Sequence, residues 1–141
     1  MDLSSNDITE EGAKIIAESP HFPYLEMLDL RMNKVGDLGL KVLIASRNYP
    51  YLQDLRLDRN YIEEQGSQFL NHFCNFQNLN QLRMRSNCIG AKGMSFLVST
   101  YAVRNLTAIN VSKCNLGDEG FKQICGASYM SNLHKLVVDE N

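Results

Sequence analysis

Apolar side chains return along this chain every 27 residues. Leu25, Leu52, Leu79, Leu106 and Leu133 form one column, and three residues on stand Leu28, Leu55, Leu82, Ile109 and Leu136. Two further come Leu30, Leu57, Met84, Val111 and Val138, with Leu3 one period earlier. A mostly polar column follows, Asn6, Asn33, Asn60, Asn87, Cys114 and Asn141, then an apolar one, Ile8, Val35, Ile62, Ile89 and Leu116. Gly12, Gly39, Gly66, Gly93 and Gly120 complete the unit, and no insertion or deletion breaks the register.

Each column has a physical meaning. Leu28 and Leu30 alternate with Asp29 and Arg31, which predicts a short strand with one buried side and one facing outward. The Asn column sits at a turn, where its side chains can bond the backbone of their own and the neighbouring repeat and build a ladder. Cys114 replaces one rung. The Gly column fits a tight approach or a helix start. Behind it, Ile16, Leu43, Leu70, Leu97 and Ile124 form one helical column, and Ile15, Val42, Phe69 and Phe96 the next, which predicts an amphipathic helix buried on both. Phe22, Tyr49, Phe76, Val103 and Met130 are expected as a buried spine between helix and strand, with Pro23 and Pro50 stopping the helix. Tyr24 and Tyr51 share a column before the strand, where burial against the neighbouring loop is expected ahead of exposure at the rim.

One such unit cannot bury its apolar face alone, so neighbours must stack. The expected architecture is α/β: a right-handed solenoid arc of about five repeats, with parallel strands on the concave side and helices on the convex side. Residues 1–141 read as a single domain and as a piece of a longer solenoid, uncapped at both ends and prone to end-to-end self-association.

Composition changes this picture little. Among 141 residues, 44% are hydrophobic and 21% charged, and the net charge of −2 gives no overall field toward nucleic acid or membrane. No run approaches the length of a membrane span, and residues 1–7 lack the basic segment and apolar run of a secretory leader. The four cysteines have no C-x-x-C spacing and read as free thiols in a reducing, cytoplasmic compartment. An effector secreted into a host cytosol would look the same. His21, His72 and His134 fall in different columns, so no metal site is expected. No nucleophile stands near a base and an orienting acid, and no glycine run cradles a phosphate, so neither catalytic residues nor a cofactor are expected. The carboxylates of Glu10, Glu11, Glu63, Glu64, Asp118 and Glu119 are explained as helix-start residues favoured by the helix dipole.

The register also lists what faces inward from the strands. One column reads Asp2, Asp29, Arg56, Arg83, Asn110, Val137 and the next Ser4, Arg31, Asp58, Arg85, Ser112, Asp139. A flanking column reads Ser5, Met32, Arg59, Ser86, Lys113, Glu140. Arg31, Arg56, Arg59, Arg83 and Arg85, with Asp58 among them, define a candidate concave patch for a partner protein with an acidic surface. The competing reading is a checkerboard in which Asp29 pairs with Arg56 and Asp58 with Arg31 and Arg85. Nucleic acid fits less well, because the patch lacks interleaved aromatics.

The run LEMLDLRMNKVGDLG, from Leu25 to Gly39, resembles the signature of the ribonuclease-inhibitor-like class of leucine-rich repeats, and the likeness covers essentially the whole chain. That class includes ribonuclease inhibitor, the sensing arms of NOD-like receptors, Ran GTPase-activating protein and bacterial effectors. The chain departs from ribonuclease inhibitor in its constant repeat length and its lack of Trp, and from Ran GTPase-activating protein in having no acidic tail. The resemblance implies a non-enzymatic module that binds proteins through the strand face and adjoining loops. The alternative it implies is a regulator of a GTPase or another enzyme, presenting residues to a partner's active site.

Overall fold

Each strand of the sheet is three residues long, and backbone bonds at the turns extend the pairing between repeats. In the computed structural model, which describes the backbone of residues 1–141 and every side chain except those of Phe73 and Cys74, these strands are β1 (Met27–Asp29), β2 (Asp54–Arg56), β3 (Gln81–Arg83), β4 (Ala108–Asn110) and β5 (Lys135–Val137). They form one open parallel sheet in chain order. The register is the repeat itself: Leu28 stands beside Leu55, Leu55 beside Leu82, Leu82 beside Ile109 and Ile109 beside Leu136. The buried side chains at Leu28, Leu55, Leu82 and Ile109, with Leu30, Leu57, Met84 and Val111 just beyond, make the sheet half of the core.

The helical half consists of α1 (Glu10–Glu18), α2 (Gly36–Ala45), α3 (Glu64–Ser67), α4 (Gly90–Ser99) and α5 (Gly117–Cys125). The third is short and continues as a 3-10 stretch over Gln68–Asn75, with His72 off helical geometry at φ −102°, ψ 21°. The expected two-column burial is half right. Leu43, Leu70 and Leu97 are buried, but Ile15 is 70% exposed, and Val42, Phe69 and Phe96 are only partly covered. The face turned to the sheet is Leu40, Leu43 and Ile44 on α2 and Met94, Leu97 and Val98 on α4, an i, i+3, i+4 stripe that leaves the preceding residue on the flank. Tyr49, Phe76 and Val103 form the buried spine, and the Tyr49 hydroxyl donates to the Ile16 carbonyl. Phe22 in the first repeat is exposed and Met130 in the last half-covered, because each has a neighbouring repeat on one side only.

The Asn ladder forms. Asn33 Oδ1 accepts the backbone N–H of Asn6 and Ile8 at 3.0 and 2.8 Å, and its Nδ2 donates to the carbonyls of Leu3 and Leu30, both at 2.9 Å. Asn87 does the same for Asn60, Ile62, Leu57 and Met84. One buried side chain thus satisfies four backbone groups at a turn that no sheet or helix reaches. At Cys114 the thiol donates to the Met84 carbonyl, with sulfur and oxygen 3.2 Å apart.

Two features of the turns are not visible in the repeat columns. The residue before each rung, Ser5, Met32, Arg59, Ser86, Lys113 and Glu140, is left-handed in every repeat, with φ between 54° and 59°. That bend delivers its N–H to the next repeat, as in Ser5 to the Arg31 carbonyl and Arg59 to the Arg85 carbonyl, both at 2.8 Å. After the rung, the turns place their second left-handed residue at one of two positions, or at both. Asp7 and Tyr61 have positive φ in the first and third turns, Gly36 and Gly90 take it two positions later in the second and fourth, and the fifth has both bends, at Asn115 and Gly117. The bonds between turns follow suit: Lys34 N–H to the Ile8 carbonyl, Gly36 to Asn60, Cys88 to Ile62, Gly90 to Cys114.

Candidate functional site on the concave face

The side chains proposed from the sequence do lie together on the strand side, yet they are not equivalent. Asp29 was expected to face outward; it is instead completely buried, under two arginines. Arg31 closes on it at 2.6 Å, with Nε also within 2.8 and 2.9 Å of its two oxygens, and Arg56 reaches it at 3.3 Å. Arg56 is held more closely by Asp54, the first residue of its own strand, at 2.7 Å. Burial pushes the Asp29 carboxyl up, but the bonds from the Arg31 side chain and backbone, the Arg31 charge and the Arg56 bond together hold it below its ordinary range. Bonding to Asp29 likewise raises Arg31. Here the checkerboard is real, although the tightest pairs lie within a repeat, two residues apart, and not across strands.

The pairing stops at the third repeat. Asp58 Oδ1 accepts the Arg85 backbone N–H at 2.7 Å, and no guanidinium lies at ion-pair distance from the carboxylate among the described residues. Burial holds its carboxyl above the ordinary range, against the Arg85 N–H and the charges of Arg31 and Arg83, which lower it. Among the described residues Arg83 has only the side-chain oxygen of Gln81, at 3.4 Å, where the preceding repeat offers Asp54. Arg85 approaches Glu140 no closer than 3.9 Å. Arg59 is exposed and has no ion pair among the described residues.

These groups surround a cavity of about 460 Å³ lined by Ser4, Ser5, Arg31, Met32, Asp58, Arg59, Arg83, Arg85 and Asn110. Four guanidiniums face one half-buried carboxylate. Next to it, over the turns that follow the strands, a cavity of about 580 Å³ is lined by Asp7, Met32, Lys34, Arg59, Tyr61, Ile62, Glu63, Cys88 and neighbouring backbone. Sequence reasoning missed this second cavity. Its signal was faint: Met32, Tyr61 and Cys88 occupy columns that are polar in the other repeats.

Elsewhere, Tyr24 and Tyr51 are exposed, not buried, and stack on one another with centroids 5.8 Å apart. In the same column Asn78 donates to the Pro50 carbonyl, Asn105 to Gln77 and Asn132 to Arg104, a second, exposed asparagine ladder along the opposite edge. Cys88, Cys114 and Cys125 are free thiols, and the Cys74 side chain lies outside the described residues. Among the described residues no three His, Cys, Asp or Glu come together as a metal site, and no helix is long and apolar enough to cross a membrane.

A stack of strand-turn-helix units with an asparagine ladder and an open parallel sheet defines a repeat solenoid. The chain belongs to the leucine-rich repeat family, whose pattern matches residues 1–17, 23–43, 77–98 and 104–125, more than half of its length. The unmatched stretch between residues 43 and 77 contains the repeat whose helix is cut short at Ser67. No curated protein matches the sequence. Members of this family are in general protein-interaction modules and typically not enzymes.

Proposed function

We propose that this chain binds a partner protein through the concave strand face, with Arg59, Arg83 and Arg85 as the contacting cations and Arg31, Arg56 and Asp58 as their framework. The observation that carries this is the end of the pairing at the third repeat. Arg31 and Arg56 are already committed to Asp29 and Asp54, whereas the next three arginines border the cavity with one carboxylate among them. Guanidiniums in that condition gain most from a carboxylate brought by a partner, since Arg is less strongly hydrated than Lys and matches carboxylates with two bonds. The partner surface is therefore acidic. A regulator that offers a residue to another protein's active site would use the same face, and Arg59, exposed and without an ion pair among the described residues, is the group suited to it.

The test is a pair of charge reversals. Immobilised wild-type chain, the triple variant R59E/R83E/R85E, and a convex control K14E/K92E/K122E are compared for retention of partner proteins. Loss in the first variant with retention in the second is expected. Retention by both would overturn the reading.

A further inference from the structure

We infer that the concave cavity and the neighbouring apolar cavity form one groove, and that it takes a protein segment in which carboxylates stand next to a bulky apolar side chain. This rests on the concave-face reading above and specifies its partner. The two cavities are not separate places: Met32 and Arg59 line both. On one side of that border lie Arg83, facing the side-chain oxygen of Gln81 at 3.4 Å, and Arg85, whose ion pair with the exposed Glu140 is long at 3.9 Å. On the other, Met32 and Tyr61 are 53% and 71% exposed over the buried Ile62. Large side chains so open to water, set into a concavity and not on a convex surface, are what an apolar anchor fills. At that end Lys34 already closes on Asp7 at 2.7 Å, and Glu63 adds a carboxylate with no ion pair among the described residues. Carboxylates of a partner are therefore disfavoured there, and the negative groups belong at the arginine end.

The wall is also held in place. Met32, Arg59 and Tyr61 are all left-handed, with φ of 57°, 54° and 58°, in bends fixed by bonds to neighbouring repeats. Such a surface loses little freedom on binding. An arginine groove beside a tyrosine also has elements of a single-strand nucleic-acid site, but one aromatic offers no succession of stacking platforms. The protein segment is favoured.

The probe is a short synthetic peptide, Gly-Ser-Asp-Glu-Leu-Phe-Gly-Ser, titrated into isotope-labelled full chain and followed by the backbone amide signals. Shifts are expected at Met32, Arg59, Tyr61 and Arg85 together. Replacing the acids by Asn-Gln, or the Leu-Phe pair by glycines, should each weaken binding about tenfold. So should R83Q/R85Q on one side and M32Q/Y61N on the other, the latter chosen because Asn tolerates the left-handed bend. If only the arginine variant weakens binding, the concave reading stands and the composite groove falls. If no signal moves at millimolar peptide, both fall. A single-stranded oligonucleotide that moves the same signals more strongly than the peptide would replace the protein segment as the occupant.

Discussion

Asp29 at the end of β1 and Arg31 two residues later meet at 2.6 Å, and the carboxylate is wholly out of water while the guanidinium keeps a wet edge. A strand places residues two apart on one face, so this pair is fixed by local geometry before any neighbour stacks on it. The arrangement makes Asp29 a structural acid beneath the surface it was expected to decorate.

Asp29→Asn should therefore destabilise the fold by about 2 kcal/mol, the scale of a buried charge-assisted bond lost. The folded-state carboxyl is held low, so its contribution is complete above the ordinary carboxylate range and disappears as pH falls through the lowered value. Urea unfolding at neutral and strongly acid pH should show the gap between wild type and variant closing in acid. A gap that persists unchanged would show that the charge is not its source.

Asp58→Asn should behave in the opposite way. Its carboxyl is held high by burial, so ionising it costs stability as pH rises from the ordinary carboxylate range through the raised value. An amide carbonyl can still accept the Arg85 N–H. The variant should exceed wild-type stability at neutral pH and bind the acidic peptide about 3-fold more tightly, as expected when a like charge leaves a site. Tighter binding without the stability gain would mean that burial is not what raises Asp58.

The ladder can be tested at its two kinds of rung. Asn87→Ala leaves the Asn60 and Ile62 N–H groups and the Leu57 carbonyl without partners, and the Met84 carbonyl with the Cys114 thiol alone, and should cost about 3 kcal/mol in urea unfolding. Cys114→Asn restores the full rung and should stabilise by about 1 kcal/mol. Burial also pushes the Cys114 thiol up to about 11, so in the folded chain iodoacetamide should label Cys88 and Cys125 and spare Cys114 until the protein unfolds. Early labelling of Cys114 would contradict the buried rung.

Two glycines separate backbone freedom from close approach. A Cβ at Gly93 would lie 2.7 Å from the Cβ atoms of both Ser67 and Ile89, where α4 packs on α3. Gly36 has open space around it and a φ of +61°. Gly93→Ala should cost about 3 kcal/mol by overpacking and Gly36→Ala about 1 kcal/mol by strain, read from the shift in urea midpoint. Equal costs would mean that the helices simply move apart.

The parts of the fold carried by side-chain type were legible in the sequence. An aliphatic side chain at the buried strand positions and Asn at all but one of the turns are chemical requirements, so they recur as letters. The left-handed column was not legible, because Ser, Met, Arg, Lys and Glu all accept that bend when bonds to the next repeat hold it. Burial on the helices was misassigned by one position: a 27-residue column fixes which residues are equivalent and says nothing of the direction they face. The arginines of the candidate site were found from the register. Their division into paired and unpaired sets depended on whether Asp54 or Gln81 begins the strand, a difference of one residue in a column that had drawn no attention.

The turns have a consequence for what the middle of the stack can lose. The turns at 34–36 and 88–90 each donate N–H groups to both neighbours, Lys34 to Ile8 and Gly36 to Asn60, Cys88 to Ile62 and Gly90 to Cys114, while the turn at 60–62 accepts from both sides. Deleting the 27 residues that carry it would keep every letter column aligned yet set two donating turns side by side. The repeat with the shortest helix is thus the keystone of the arch, not its most dispensable stone.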